Sequence, residues 1–123
     1  MTENLTLETF KEKIHDFEKN EEWVFNGDKP CVIDFYADWC GPCKMLSPIL
    51  EELSNEYDNI NIYKIDTEKE AELSAIFGIM SIPTMLFIPM DQKPMMLKGA
   101  LPKSELIKIF DKILLKKNED NNL

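Results

Sequence analysis

Apolar residues recur at steps of three and four through Leu7, Phe10, Ile14 and Phe17, which predicts an amphipathic helix over residues 7–19 capped by Thr6. Residues 20–30 hold Asn26, Gly27, Asp28 and Pro30 and read as a loop. The pattern then changes. Cys31 to Ala37, CVIDFYA, is a short β-branched and aromatic run, as in an interior strand covered on both faces. A second helix is predicted from about Cys40 to about Tyr57, with Leu46, Ile49, Leu50 and Leu53 facing inward. Pro48 inside it removes a backbone donor and crowds the Lys44 carbonyl, which predicts a kink.

Ile60 to Asp66 predicts a second strand, and Thr67 with Glu70 forms a T-x-x-E capping box for a short helix ending at Gly78. Thr84 to Ile88 is a third strand and residues 94–99 a weaker fourth. Pro102 suits the first turn of a last helix that buries Leu106, Phe110, Ile113 and Leu114. The order α-β-α-β-α-β-β-α predicts an α/β fold with a mixed central sheet of about four to five strands, flanked on both faces by about four helices. The whole chain, 1–123, reads as one domain whose residues 1–5 and 117–123 fray.

Composition narrows the functions open to such a fold. The chain has 123 residues, 14 basic and 23 acidic, and a formal net charge of -9. Every basic residue is lysine, so the guanidinium fork that grips phosphate is missing. Nucleic acid and anionic membranes are poor partners for this charge. The first twenty residues lack an apolar core, and no run is long enough to span a membrane, which predicts a cytoplasmic protein. Monomer is the default oligomeric state.

The candidate chemistry lies at Trp39-Cys40-Gly41-Pro42-Cys43-Lys44. Two thiols one helical turn apart at a helix start can reach each other. As a staple the bond would contribute little, about 2 kcal/mol, because the loop it closes is so short. Its value lies in reactivity. Free N–H groups and the positive end of the helix dipole favour a thiolate at Cys40, while Cys43 sits a turn deeper and stays protonated. Cys40 would then attack a target disulfide, and Cys43 would resolve the mixed disulfide. A zinc site would have to draw on three cysteines and His15, which reads as a surface residue beside the first helix's apolar stripe. A chance CxxC without chemistry is the other alternative.

Residues 32–50, VIDFYADWCGPCKMLSPIL, closely resemble the signature region of the thioredoxin family. SIPT at 81–84 and KGAL at 98–101 fall where that family has its other active-site loops, and the resemblance runs from about Leu5 to Lys116. It implies a thioredoxin fold, no bound cofactor beyond a redox-active Cys40–Cys43 disulfide, and protein-disulfide reduction in electron transport and cell redox homeostasis. It also implies thioredoxin reductase as electron donor and disulfide-containing proteins as substrates.

Asp34 is an acid in an apolar strand. By composition alone it is either buried with a raised pKa or turned to water at a strand edge. The resemblance makes it the buried aspartate that takes the Cys43 proton. Lys64 matches the family lysine beside that aspartate; the competing reading has it snorkelling to solvent. The resemblance likewise makes Ile82-Pro83 a cis bond whose backbone pairs with an extended substrate. Trp39, Gly41, Pro42, Ile82, Gly99 and Ala100 would form a mostly apolar patch around Cys40, against the alternative of Trp39 as a core residue. Cys31 reads as a buried, inert thiol.

Three features depart from the family pattern. Tyr36 stands where many members carry tryptophan, the 20–30 loop is longer than in compact members, and the hairpin turn lacks a common glycine. The expected function is a protein-disulfide reductase. The alternatives are a disulfide oxidase or isomerase, and a non-catalytic binding subunit on the same fold.

Overall fold

The alternation of side chains along one strand sets the two cores of this protein. In the computed structural model, which describes residues 1–117, β2 (Cys31–Tyr36) sends Cys31, Ile33 and Phe35 to one face and Val32 and Asp34 to the other. The first face packs with Phe10 and Ile14 of the N-terminal helical segment and with Leu73, the second with Leu46, Leu50, Leu106 and Phe110. Every residue from Cys31 to Phe35 is fully buried, as expected for a central strand.

Around β2 the elements run β1 (Glu3–Asn4), α1 (Leu7–Lys13), α2 (Gly41–Glu56), β3 (Asn61–Asp66), α3 (Ala71–Ile76), β4 (Thr84–Ile88), β5 (Met95–Lys98) and α4 (Lys103–Ile109), with a π turn over Phe110–Leu114 continuing α4. The sheet has five strands in the order β1-β3-β2-β4-β5. β1, β3 and β2 are parallel, while β4 runs antiparallel to both β2 and β5. This is the mixed sheet expected from the element order, with helices on both faces.

Four expectations are corrected. Residues 1–5 are not frayed: Glu3 and Asn4 pair with Tyr63 and Lys64, and the Leu5 N–H donates to the Lys64 carbonyl at 2.8 Å. Two residues are too few to show a period, which is why this strand left no pattern. At the other end, the Lys117 N–H donates to the Asp111 carbonyl at 2.8 Å, and residues 118–123 lie outside the described residues.

The first helix ends at Lys13 rather than at residue 19. Past it, His15 turns inward and Asp16 closes a turn, accepting at its carbonyl from Lys19 N–H at 3.2 Å and Asn20 N–H at 3.0 Å. His15 is therefore not a surface residue. It is 6% exposed, its Nδ1 lies 3.1 Å and 3.2 Å from the Val24 carbonyl and N–H, and its ring stacks on Trp23.

The Thr67–Glu70 box does not form. Thr67 gives its hydroxyl to the Tyr36 carbonyl at 3.0 Å, and Glu70 accepts the Leu7 N–H at 3.0 Å. Glu70 thus caps the start of α1, beside Thr6, whose hydroxyl accepts the Thr9 N–H at 3.2 Å. Among the described residues no helix is long and apolar enough to cross a membrane.

Candidate active site

β2 leads into α2 through a tight turn, closed where the Cys40 N–H donates to the Ala37 carbonyl at 3.2 Å. Cys40 is the N-cap of α2, with extended backbone. Its Sγ accepts the Cys43 N–H at 3.2 Å, the role a serine or aspartate oxygen usually fills. Pro42 lies in the first turn, where its missing N–H leaves no helical bond unmade. Cys40 and Cys43 are joined in a disulfide, with their Cα atoms 5.2 Å apart. The helix start thus aims a donor at the sulfur expected to carry charge.

In this oxidised form Cys40 is only 4% exposed. Its sulfur is taken up by the bond to Cys43 and by the helix N-terminus. The residues around it carry the exposure instead. Trp39 is 69% exposed, which removes the core reading for that ring, and Gly41 and Pro42 are also exposed.

The Ile82-Pro83 bond is cis. Pro83 is buried and Ile82 half-buried. The Gly99 N–H donates to the Pro83 carbonyl at 2.8 Å, and this bond joins the 82–83 and 99–100 loops. Gly99 takes φ +94°, and a Cβ there would meet open space, so a partner's backbone has room to approach. Ala100 next to it is exposed. Ile82 and Trp39 line one groove of about 400 Å³, with Thr67, Ala71, Ala75 and Met80 also in its wall. Met80, at 91% exposed, extends this apolar surface past Ile82.

Asp34 is fully buried, which removes the strand-edge reading, and neither of its carboxylate oxygens has a hydrogen-bond partner. Burial pushes the carboxyl up from 3.8 to about 7, with the Lys64 ammonium pulling the other way. Asp34 lies on the face of β2 that α2 covers, and Cys43 belongs to the buried stripe Cys43, Leu46, Leu50 and Leu53 of that helix. The two groups therefore share one layer.

Lys64 sits opposite Asp34 in the β2–β3 register, yet its Nζ reaches elsewhere. It donates to Ser47 Oγ at 2.8 Å and lies 4.4 Å from the centre of the Tyr36 ring. It is half-buried, and its charge still acts on Asp34, whose carboxyl it pulls down. Ser47 escaped the sequence reading. The signal was there: it is a hydroxyl one turn beyond Cys43, flanked by the inward Leu46 and Leu50.

Cys31 is a free, fully buried thiol whose pKa burial drives far up, which leaves it inert. Among the described residues no three His, Cys, Asp or Glu side chains are grouped so as to hold a metal.

The thioredoxin family model matches residues 2–112. A thioredoxin from Borreliella burgdorferi is 54% identical over 82% of this chain and 87% of its own length. Thioredoxin 1 of Nostoc sp. is 34% identical over 89% of this chain and 94% of its own. The crystal structure of a chloroplastic thioredoxin z superposes with a TM-score of 0.77 at 28% identity, covering 91% of this chain and 93% of that one. The redox group is the protein's own Cys40–Cys43 pair. These matches favour neither a binding-only subunit nor a disulfide oxidase or isomerase. With the cysteine pair intact at the start of α2, this chain belongs to the thioredoxin family and is a thiol–disulfide oxidoreductase.

Proposed function

We propose that the protein works in the reducing direction on protein disulfides, with a distinct role for each site residue. Cys40 thiolate attacks one sulfur of the target disulfide, forming a mixed disulfide and expelling the first target thiolate. Cys43 passes its proton to the Asp34 carboxylate and attacks Cys40 Sγ. The second target thiolate leaves, takes up a proton, and the Cys40–Cys43 disulfide closes. Two electrons have moved from the dithiol to the target, and a reductase of the thioredoxin reductase class returns them.

The observation that carries this reading is the asymmetry of the pair. Cys40 Sγ accepts a helix N–H, whereas Cys43 lies in the buried layer that also holds an unpartnered carboxyl. A carboxyl titrating near 7 can exchange protons with a thiol at neutral pH. Lys64 modulates Asp34 through its charge. Trp39, Gly41, Pro42, Ile82, Pro83, Gly99 and Ala100 receive the target's extended backbone beside the dithiol. Residues 1–123 act as one domain. A cytoplasmic setting, where thiols are kept reduced, suits this direction and a part in electron transport and cell redox homeostasis.

The test is turnover of a protein disulfide by wild type, Cys40→Ser and Cys43→Ser. Cys40→Ser is expected to be inactive, and Cys43→Ser to accumulate mixed disulfides that identify the targets. Turnover retained in Cys40→Ser would refute the assignment.

A further inference from the structure

We propose that Ser47 is a positioning residue: together with the Tyr36 ring, its hydroxyl holds the Lys64 ammonium off Asp34 and leaves that carboxyl without a partner. Its bearing on turnover rests on the reading of Asp34 as proton acceptor; the geometry itself does not.

Asp34 and Lys64 are partners in the β2–β3 register, so they lie side by side on one face of the sheet, a placement open to an ion pair. None forms, for both Asp34 oxygens are unpartnered. The ammonium is instead held at two points. Ser47 Oγ accepts from it at 2.8 Å, and the face of Tyr36 lies 4.4 Å away, within cation–π range. The ring is itself fixed, because Asn4 Nδ2 donates to the Tyr36 hydroxyl at 2.8 Å. Strand β1 thus helps to place the lysine.

The other groups around this pair offer no competing account. β4 presents Met85 to Asp34, and the helices covering that face present Leu46, Leu50 and Leu106, none of them charged. α2 also presents the Cys43 thiol, now in the disulfide. Glu51, one turn past Ser47, feels the Lys64 charge, but its carboxylate is engaged by the N–H and hydroxyl of Thr2. With the Ser47 hydroxyl gone, the strongest acceptor left to the ammonium is the carboxylate across the register. The serine thus keeps Asp34 basic enough to take a thiol proton at neutral pH.

The test follows the Asp34 carboxyl by NMR titration in the oxidised protein, for wild type, Ser47→Ala, Ser47→Thr, Lys64→Gln and the double variant Lys64→Gln/Ser47→Ala. Ser47→Ala is expected to move the titration midpoint down by about 1 pH unit as the ammonium closes on the carboxylate. Ser47→Thr keeps the hydroxyl and is expected to keep the wild-type midpoint. In the Lys64→Gln background, removing Ser47 is expected to move nothing. An unchanged or raised midpoint in Ser47→Ala, or an equal fall without Lys64, overturns the proposal. The pH profile of mixed-disulfide resolution, recorded alongside, separates the two readings. If the midpoint falls and the profile stays, Ser47 acts as proposed and Asp34 is not the proton acceptor.

Discussion

The Gly99 N–H donates to the Pro83 carbonyl at 2.8 Å and pins the loop after β5 to the loop before β4. Gly99 reaches this bond at φ +94°, a conformation that costs a side-chain-bearing residue about 1–2 kcal/mol. Gly99→Ala is expected to lose about that much stability in urea unfolding. Gly41→Ala is the control. It sits in the first turn of α2, with open space where its Cβ would go and no positive φ, so its stability is expected to stay within about 0.5 kcal/mol of wild type.

Asp34 makes the stability of the oxidised protein depend on pH in an unusual direction. Its folded carboxyl titrates near 7 and its unfolded one near 3.8. Between those values the folded state holds a proton that the unfolded state has released. Stability is therefore full below about pH 4, falls as pH rises and levels off above about pH 7, the total change being on the order of 4 kcal/mol. Asp34→Asn carries no charge to bury. It is expected to gain on wild type across that window and to be clearly more stable at pH 8, as chemical denaturation at several pH values would show. Parallel curves for the two proteins would contradict the burial of an ionisable Asp34.

Trp39 separates docking from folding. At 69% exposed it holds little of the core, so Trp39→Ala is expected to change stability by less than about 0.5 kcal/mol. The same ring lines the groove with Ile82 and Met80, and an exposed aromatic at a docking surface is worth on the order of 1–2 kcal/mol. A roughly tenfold fall in kcat/KM for a protein disulfide is expected, with the reaction towards a small disulfide such as oxidised glutathione unchanged.

His15 gives the opposite dissociation. It is 6% exposed, stacks on Trp23 at 4.8 Å and meets the Val24 backbone with Nδ1. His15→Ala leaves that backbone short of a partner and is expected to cost about 1–3 kcal/mol in thermal or urea unfolding. Turnover of protein disulfides at a temperature where the variant is folded is expected to match wild type.

Much of this was legible in the residues themselves. The β-branched and aromatic run Cys31–Ala37 marked the central strand, the inward stripe of Leu46, Leu50 and Leu53 marked α2, and the WCGPCK string at their junction marked the chemistry. These signals are local: a strand's apolar run, a helix's repeat and a two-residue spacing between thiols are all written within a few neighbours. The expected buried aspartate and cis Pro83 rested on family resemblance, and the structure has both.

The partnerships were not legible. Glu70 caps a helix 63 residues away rather than its own, Lys64 reaches Ser47 across 17 residues rather than Asp34 beside it, and His15 turns inward to meet Val24. A polar side chain pairs with whatever acceptor the packed layers bring within about 3 Å, and sequence distance does not enter that choice. The chain's own order therefore determined the elements and the position of the dithiol. Tertiary packing alone decided which charges meet, and so what surrounds the carboxyl behind the cysteines.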